Sequence, residues 1–248
     1  MDIGLIIIGS ELLTGKRTDG HLARAIGALD KRQLELAWVE YLGDDPARLT
    51  ATLARAMGCG DLVFSFGGIG ATPDDHTRQC AADAAGVAVT RHDDAAQIIE
   101  DRFGDDAYPQ RIHMAHLPQG ANLIPNPVNR IAGFSLGHLH FVPGFPQMAW
   151  PMFDWVLDTH YPKLGANREI VETLLNLPGV SEGQLIDVMQ ALVQKHPSVK
   201  LSCLPHMDGD YRETELGLRG NPEAVDIACT WLQAALGQAG FEFTVRER

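Results

Sequence analysis

The stretch Leu62-Val63-Phe64-Ser65-Phe66-Gly67-Gly68-Ile69-Gly70-Ala71-Thr72-Pro73-Asp74-Asp75-His76-Thr77 decides how this chain is read. A short apolar run stops at three glycines within four residues, a Thr-Pro-Asp-Asp segment follows, and an alanine-rich pattern runs on to Gly86. The pattern predicts a buried strand, a tight glycine turn and the acidic first turn of a helix. Pro73 suits the first helical position, and Asp74 and Asp75 suit the helix dipole. Glycine lets a backbone take positive φ and approach a ligand, and a helix N-terminus offers free N–H groups. A well-capped strand-to-helix junction explains the same residues without a ligand. The paired aspartates say more: beside a phosphate-sized nest they would repel a phosphate unless a cation lay between them.

Outward from this stretch the same alternation recurs. Ile3–Ile8 is continuously apolar and β-branched, as expected of a parallel strand buried on both faces. The following Gly9-Ser10-Glu11-Leu12-Leu13-Thr14-Gly15-Lys16-Arg17 nearly spells a nucleotide-binding P-loop. It fails because Gly15-Lys16 falls one residue too far from Gly9 and Arg17 replaces the required Ser or Thr. Asp19-Gly20 opens a helix to Asp30 with Leu22, Ile26 and Leu29 on one face; Leu34–Leu42 reads as a second strand, and Gly43-Asp44-Asp45-Pro46 caps a helix to Met57. Strands alternating with helices of this length predict an α/β fold, a doubly wound, mostly parallel sheet in three layers. Such sheets bind ligands beyond the carboxyl ends of their strands, where Glu11, Asp44 and Asp74/Asp75 all fall.

The charge balance narrows the partners. With 20 Lys plus Arg against 32 Asp plus Glu, the net charge is −12, which argues against binding nucleic acid or an anionic membrane. The N-terminus has no basic segment, and no apolar run is long enough for a signal or a membrane span, so a cytoplasmic location is expected. Cys59, Cys80, Cys203 and Cys229 form no C-x-x-C pair and read as reduced core residues.

Farther along, Asp93–Phe103 reads as a helix, Pro109–Leu117 as a shorter helical turn, and Ala121–Ile124 as a brief strand. Pro125–Gly133 is a turn-rich loop, Phe134–Leu136 and His138–Val142 pair as a hairpin, and Pro143–Pro146 turns into a helix to His160. His138/His140 and His113/His116 are two same-face pairs; lacking a third ligand at zinc spacing, they read as packed or surface histidines. Tyr161–Asn167 reads as a linker, which divides the chain into residues 1–165 and 166–248. The second part reads strand, helix, strand, a turn at Asp208-Gly209-Asp210, strand, helix, strand. That order, with strands from Arg168, Lys200, Tyr211 and Phe241, predicts a small α+β domain of ferredoxin-like βαββαβ type.

Taken together, Ile8–Gly15, Gly43-Asp44-Asp45 and Gly67–Thr77 resemble the fingerprint of the molybdopterin-binding (MogA/MoaB-like) domain family. Within it the chain is most similar to the N-terminal region of CinA-type competence/damage-inducible proteins. The resemblance extends through Val142-Pro143-Gly144-Phe145-Pro146-Gln147-Met148 and Gly179-Val180-Ser181-Glu182. It implies a molybdopterin-binding-like domain that takes a phosphate-bearing pterin or nucleotide with a divalent cation, and a homo-oligomer. The nicotinamide-nucleotide amidase domain of longer CinA proteins is expected to be absent, since the chain ends at Arg248. Ser10 stands where the family usually has Asp, Ala71 where it usually has Pro, and Val128–Gly133 replaces a more usual Gly-Thr-Ala-Pro-Gly.

The function that the resemblance implies is a nucleotide pyrophosphatase: divalent-metal-dependent hydrolysis of ADP-ribose or a related dinucleotide. Gly9, Gly67, Gly68 and Gly70 are the candidate phosphate cradle, with Glu11, Thr72 and Thr77 beside it. Arg130 is a candidate phosphate clamp, because its fork suits phosphate oxygens. Asp75 and Asp44 are the candidate catalytic residues, and Asp75, Asp44, Asp74 and Glu11 the candidate ligands of Mg²⁺ or another divalent cation. Two alternatives stay open: a non-catalytic module holding molybdopterin or a nucleotide, to which the departures at Ser10 and Ala71 point, and an adenylyl transferase of molybdenum cofactor biosynthesis.

Overall fold

A computed structural model describes residues 1–166, 169–209 and 211–247. It divides into two compact units, Met1–Ala166 and Asn167–Arg248. The first unit runs β1 (Ile3–Ile8), α1 (Ser10–Leu13), α2 (His21–Asp30), β2 (Trp38–Leu42), α3 (Pro46–Cys59), β3 (Leu62–Phe66) and α4 (Thr77–Ala85). It continues with β4 (Val89–Arg91), α5 (Asp93–Phe103), β5 (His116–Pro118), β6 (Asn122–Ile124), β7 (Gly133–Leu136), β8 (Leu139–Val142) and α6 (Pro146–His160). Its main sheet has the order β2-β1-β3-β8-β7-β6; the first four strands are mutually parallel, and β7 and β6 close the edge antiparallel.

The apolar run of β1 is explained by its two covered faces. Ile6 and Ile8 point with Val63 and Phe141 toward Leu49, Leu53 and Ala56 of α3 and Cys80 and Ala81 of α4. Leu5 and Ile7 point with Phe64 and Phe66 toward Ala25 and Leu29 of α2 and Met152, Phe153 and Val156 of α6. Each large side chain buried this way contributes roughly 1.5–3 kcal/mol of transfer free energy. A polar residue at any of these positions would face a helix, which is why no alternation is visible in the sequence. The architecture is the expected three-layer α/β sandwich.

Several expectations are corrected. The helix expected from Pro73 begins at Thr77, because residues 72–75 close their own turn, Asp75 N donating to Thr72 O at 3.0 Å. The second strand begins at Trp38 instead of Leu34: Gln33 turns left-handed at φ 56°, Leu34 N donates back to Leu29 O at 2.9 Å, and Leu34 fills the core. Ile26 lies 49% exposed, and α2 instead buries His21, Ala25, Ala28 and Leu29. The helical turn at Pro109–Leu117 is a 3₁₀ turn at Arg111–Ala115 that passes into β5, which pairs with the unforeseen β4. Of the four cysteines, all free thiols, Cys59 is exposed. Tyr161 and Leu164 pack onto the α2–α6 core, so the expected linker belongs to the first unit as far as Ala166; Asn167 lies outside the described residues.

The second unit runs β9 (Val171–Pro178), α7 (Glu182–Lys195), β10 (Lys200–Asp208), β11 (Tyr211–Gly220), α8 (Pro222–Gln238) and β12 (Thr244–Glu247), with sheet order β10-β11-β9-β12, antiparallel throughout. Alternate residues Leu175, Leu177, Leu216 and Leu218 face Leu185, Leu192, Val225 and Leu232 of the helices. The last strand begins later than expected because Phe241 N closes the end of α8 on Leu236 O at 3.0 Å. Arg168, the expected start of the first strand, and Asp210 of the expected turn lie outside the described residues.

Candidate functional site

The parallel strands β1, β2, β3 and β8 all release their chains at the same end of the sheet. The loops that follow, beginning at Gly9, Gly43, Gly67 and Pro143, form one side of a cavity of about 490 Å³. That volume lies within the range of small-molecule sites. Its floor is the glycine stretch, whose conformation only glycine permits. Gly67 has φ 105°, and a Cβ there would meet Ile8 O at 2.6 Å; Gly68 has φ 68°, and a Cβ there would meet Thr77 Oγ1 at 2.2 Å.

The carbonyls of this stretch are all taken from the α4 side. Thr77 Oγ1 donates to Gly67 O at 3.1 Å and Thr77 N to Gly68 O at 3.0 Å, while Arg78 Nη1 donates to both Ile69 O and Gly70 O. In a trans peptide the C=O and the next N–H point in opposite directions. The amides of Gly68, Ile69, Gly70 and Ala71 are therefore directed away from α4, and none has a protein acceptor among the described residues. All four residues line the cavity. Successive amides aimed one way make an anion-binding concavity.

The acidic residues converge on the same cavity, which Glu11, Asp44, Asp74 and Asp75 all line. Ser10 and Asp44 tie the first two loops reciprocally: Ser10 N donates to Asp44 Oδ2 at 2.9 Å, and Asp44 N donates to Ser10 Oγ at 3.1 Å. Asp75 Oδ2 accepts from Thr72 N at 2.8 Å and Thr72 Oγ1 at 2.5 Å. The same hydroxyl draws the carboxyl of Asp74 below its ordinary range; with one proton, it serves one carboxylate at a time. Asp44 and Asp75 thus each commit one oxygen to the backbone and keep the other. Among the described residues no three His, Cys, Asp or Glu side chains converge as a metal cage. The donors fit a cation of the Mg²⁺ kind, which keeps its waters and takes one or two carboxylates together with ligand phosphates. They do not fit a cation held by protein alone.

Of the expected contacts, Gly9, Glu11, Asp44, Gly67, Gly68, Gly70, Thr72, Asp74 and Asp75 line the cavity, and Thr77 and Arg130 do not. Thr77 is fully buried and holds the loop from behind. Arg130 sits at φ 68° with its side chain exposed, because its amide closes a turn onto Asn126 O at 3.0 Å. The arginine on the cavity is Arg17, the residue that spoiled the P-loop match.

The opposite wall comprises Phe103, Met114, Asn126, Asn129, Ile131 and Met148 among others, none of them expected from the sequence as a site residue. Buried Asn126 donates to Asn129 Oδ1 at 2.7 Å and Ile131 O at 3.0 Å, and accepts from Val128 N at 3.0 Å. Asn129 in turn contacts Met148 Sδ at 2.9 Å and accepts from Ile131 N at 2.9 Å. The cluster of Asn and Pro at 125–129 was the only available signal, and it reads as a plain turn.

His21, also missed, supports Gly144 from behind. Its Nε2 lies 3.1 Å from Gly144 O, its ring packs 4.6 Å from Phe66, and its Nδ1 has no partner. Burial pushes its pKa below the ordinary value, against the opposing pull of Gly144 O and Asp19, so the ring is neutral and Nε2–H is the donor.

A second cavity of about 340 Å³ adjoins the first through Ala71, Thr72 and Asp75. His113 and His116 line it, together with Arg78 and Gln79. Burial, with His113, Arg78 and Arg91 nearby, lowers the pKa of His116.

The fold and the cavity together define a three-layer α/β protein with a small-molecule-sized site at the carboxyl ends of its parallel strands. Residues 4–166 match the probable molybdopterin binding domain family, and the chain belongs to that family. Among curated relatives, the CinA-like protein of Geobacter metallireducens is 29% identical over 232 residues, covering 90% of this chain and 55% of that protein. The CinA-like protein of Geobacter sulfurreducens is 32% identical over 193 residues, covering 75% of this chain and 47% of that protein. The chain thus spans about half the length of these CinA-like relatives. Among solved structures, the protein CinA of Thermoplasma acidophilum, described as of unknown function, superposes with a TM-score of 0.59 at 26% identity over 64% of this chain and 98% of that one. Among the described residues no helix is long and apolar enough to cross a membrane.

Proposed function

We propose that this chain binds a phosphate-bearing nucleotide or pterin in the larger cavity and, with a divalent cation, hydrolyses the pyrophosphate of ADP-ribose or a related dinucleotide. The row of unpartnered amides from Gly68 to Ala71, lining one cavity with two half-free aspartates, carries this reading. The amides would hold a phosphate, and the apolar wall of Phe103, Met114, Ile131 and Met148 would cover the attached ring. Asp75 and Asp44 would hold the cation, which supplies charge neutralisation at the phosphoryl oxygens and a positioned water. Arg17 would screen an outlying phosphate. We place the protein in the cytoplasm as a homo-oligomer, which size-exclusion chromatography with light scattering tests.

One observation favours a second reading, a non-catalytic module that holds such a ligand. No three metal-binding side chains are preassembled among the described residues, so a cation at the carboxylates of the larger cavity would arrive with its ligand. Turnover of ADP-ribose, FAD and ATP with Mg²⁺, Mn²⁺ or Co²⁺, measured beside Asp75→Asn and Asp44→Asn, separates the two. AMP release that needs the metal and collapses in Asp75→Asn supports hydrolysis. Binding of ADP-ribose or molybdopterin without release supports the module, and AMP transfer from ATP onto molybdopterin supports the adenylyl transferase. Neither binding nor turnover rejects the ligand assignment itself.

A further inference from the structure

The two lobes of the cavity carry different chemistry. The larger holds oxygen donors, whereas the smaller holds the two imidazoles of His113 and His116. His113 ends the 3₁₀ turn and His116 begins β5, so a residue spacing of three brings both rings to one side, centroids 5.3 Å apart. Their Nδ1 atoms face each other at 3.2 Å. The two rings therefore turn nitrogens, not carbon edges, toward each other at the cavity wall.

We infer that His113 Nδ1 and His116 Nδ1 form a binding site for a borderline divalent transition metal such as Zn²⁺. Zinc–imidazole bonds of about 2.0–2.1 Å in tetrahedral geometry place neighbouring nitrogens about 3.3–3.4 Å apart. The observed separation needs only a small adjustment. On binding, the ring that donates from Nδ1 passes that proton to solvent and carries one at Nε2 instead, so both Nδ1 lone pairs are free for the ion. Imidazole selects Zn²⁺, Ni²⁺ or Cu²⁺ over Mg²⁺, so this site is chemically distinct from the carboxylate side of the larger cavity.

Charge at the site is balanced. Arg78 and Arg91 oppose a cation, but Arg78 is bound to the Ile69 and Gly70 carbonyls and Arg91 to Glu100 at 2.9 Å. Asp75 stands on the wall that the two lobes share, where its carboxylate offsets them. Two protein nitrogens leave coordination positions open to water or to a donor atom of whatever occupies the neighbouring lobe. Two protein donors are one fewer than an open zinc site usually has, so the ion would draw its remaining ligands from water or from that occupant. The inference does not rest on the proposed hydrolysis.

Equilibrium dialysis of the metal-free full chain against Zn²⁺ tests it, with Mg²⁺ in excess to occupy oxygen-donor sites. Binding of one Zn²⁺ per chain is expected. His113→Ala and His116→Ala should each weaken it by about tenfold or more, since loss of an outer-shell partner alone costs that much. Cu²⁺ bound to the wild type should show electron paramagnetic coupling to two imidazole nitrogens, reduced to one in either variant. Thermal melts of the variants guard against misfolding, which His113, exposed, and His116, half-exposed, have little power to cause. Absence of Zn²⁺ binding in the wild type, or undiminished binding in the folded double variant, overturns the inference.

Discussion

The two walls of the larger cavity are built on different principles. The strand-end wall is local: each of its loops starts where a parallel strand stops, and its glycines and aspartates sit within a few residues of that stop. The opposite wall is assembled from the end of α5, a 3₁₀ turn, an asparagine-stapled loop and the start of α6, over positions from Phe103 to Met148. The first wall presents main-chain amides and carboxylates. The second supplies an apolar surface whose shape depends on how four separate segments come together. Locally fixed chemistry on one wall with separately assembled shape on the other is how one sheet can take different ligands.

The strand-end wall is broken most completely by Gly68→Ala. Its new Cβ would lie 2.2 Å from Thr77 Oγ1 at a left-handed φ of 68°. Backbone strain alone costs roughly 1–3 kcal/mol, and the clash displaces the residue that fixes two of the loop carbonyls. A clear fall in the denaturation midpoint together with loss of pyrophosphate binding, read by calorimetry, is the expected outcome. Normal binding with an unchanged midpoint would contradict the amide nest.

Asn126→Ala attacks the other wall. Its side chain is buried and makes four hydrogen bonds within its loop, so truncation strands Val128 N, Asn129 N and Ile131 O. A loss of about 1–3 kcal/mol is expected. Pyrophosphate, which needs only the nest, should still bind, while a ligand with a ring should bind more weakly. Equal weakening of both would show that the two walls are not energetically separate.

The same division explains what was legible in the sequence. Ile3–Ile8 and Leu62–Phe66 were readable because burial on both faces demands uninterrupted apolar side chains. The glycine loop was readable because positive φ and close approach demand glycine. The true start of α4 was not, since Pro73-Asp74-Asp75 suits a helix N-terminus on local grounds; the turn that residues 72–75 close on themselves, together with the hold of Thr77 and Arg78 on the loop carbonyls, sets the start at Thr77. Leu34 misled because an apolar residue that terminates a helix looks like one that begins a strand. His21 was invisible because its purpose, holding Gly144, spans 123 positions.

That long-range support can be titrated. The folded-state pKa of His21 lies below its ordinary 6.5, chiefly because burial disfavours the charged ring. A depressed value means that the unfolded chain binds the proton more readily, so the His21 contribution is fully present above pH 6.5 and is lost as pH falls through and below it. Denaturation midpoints at pH 7 and pH 5 should differ more in the wild type than in His21→Gln, which keeps a donor for Gly144 O without a titrating ring. An equal pH dependence in both would mean that His21 does not carry this burden.

The smallest expected effect separates two arginines that composition alone cannot rank. Arg130 lies in the loop that resembles the family only loosely, and a guanidinium there looks well suited to phosphate. Its left-handed backbone and the Asn126 turn direct it to solvent. Arg17 follows the short helix α1 and reaches the cavity, its own amide bound to Glu11 O at 3.1 Å. Both side chains are exposed, so the lost contact is worth no more than about fivefold in affinity. Arg17→Ala should weaken pyrophosphate binding by about that factor and flatten its salt dependence, with Arg130→Ala indistinguishable from wild type. The reverse order would mean that the asparagine-stapled loop turns over when ligand binds, and that the second wall, unlike the first, is shaped by its occupant.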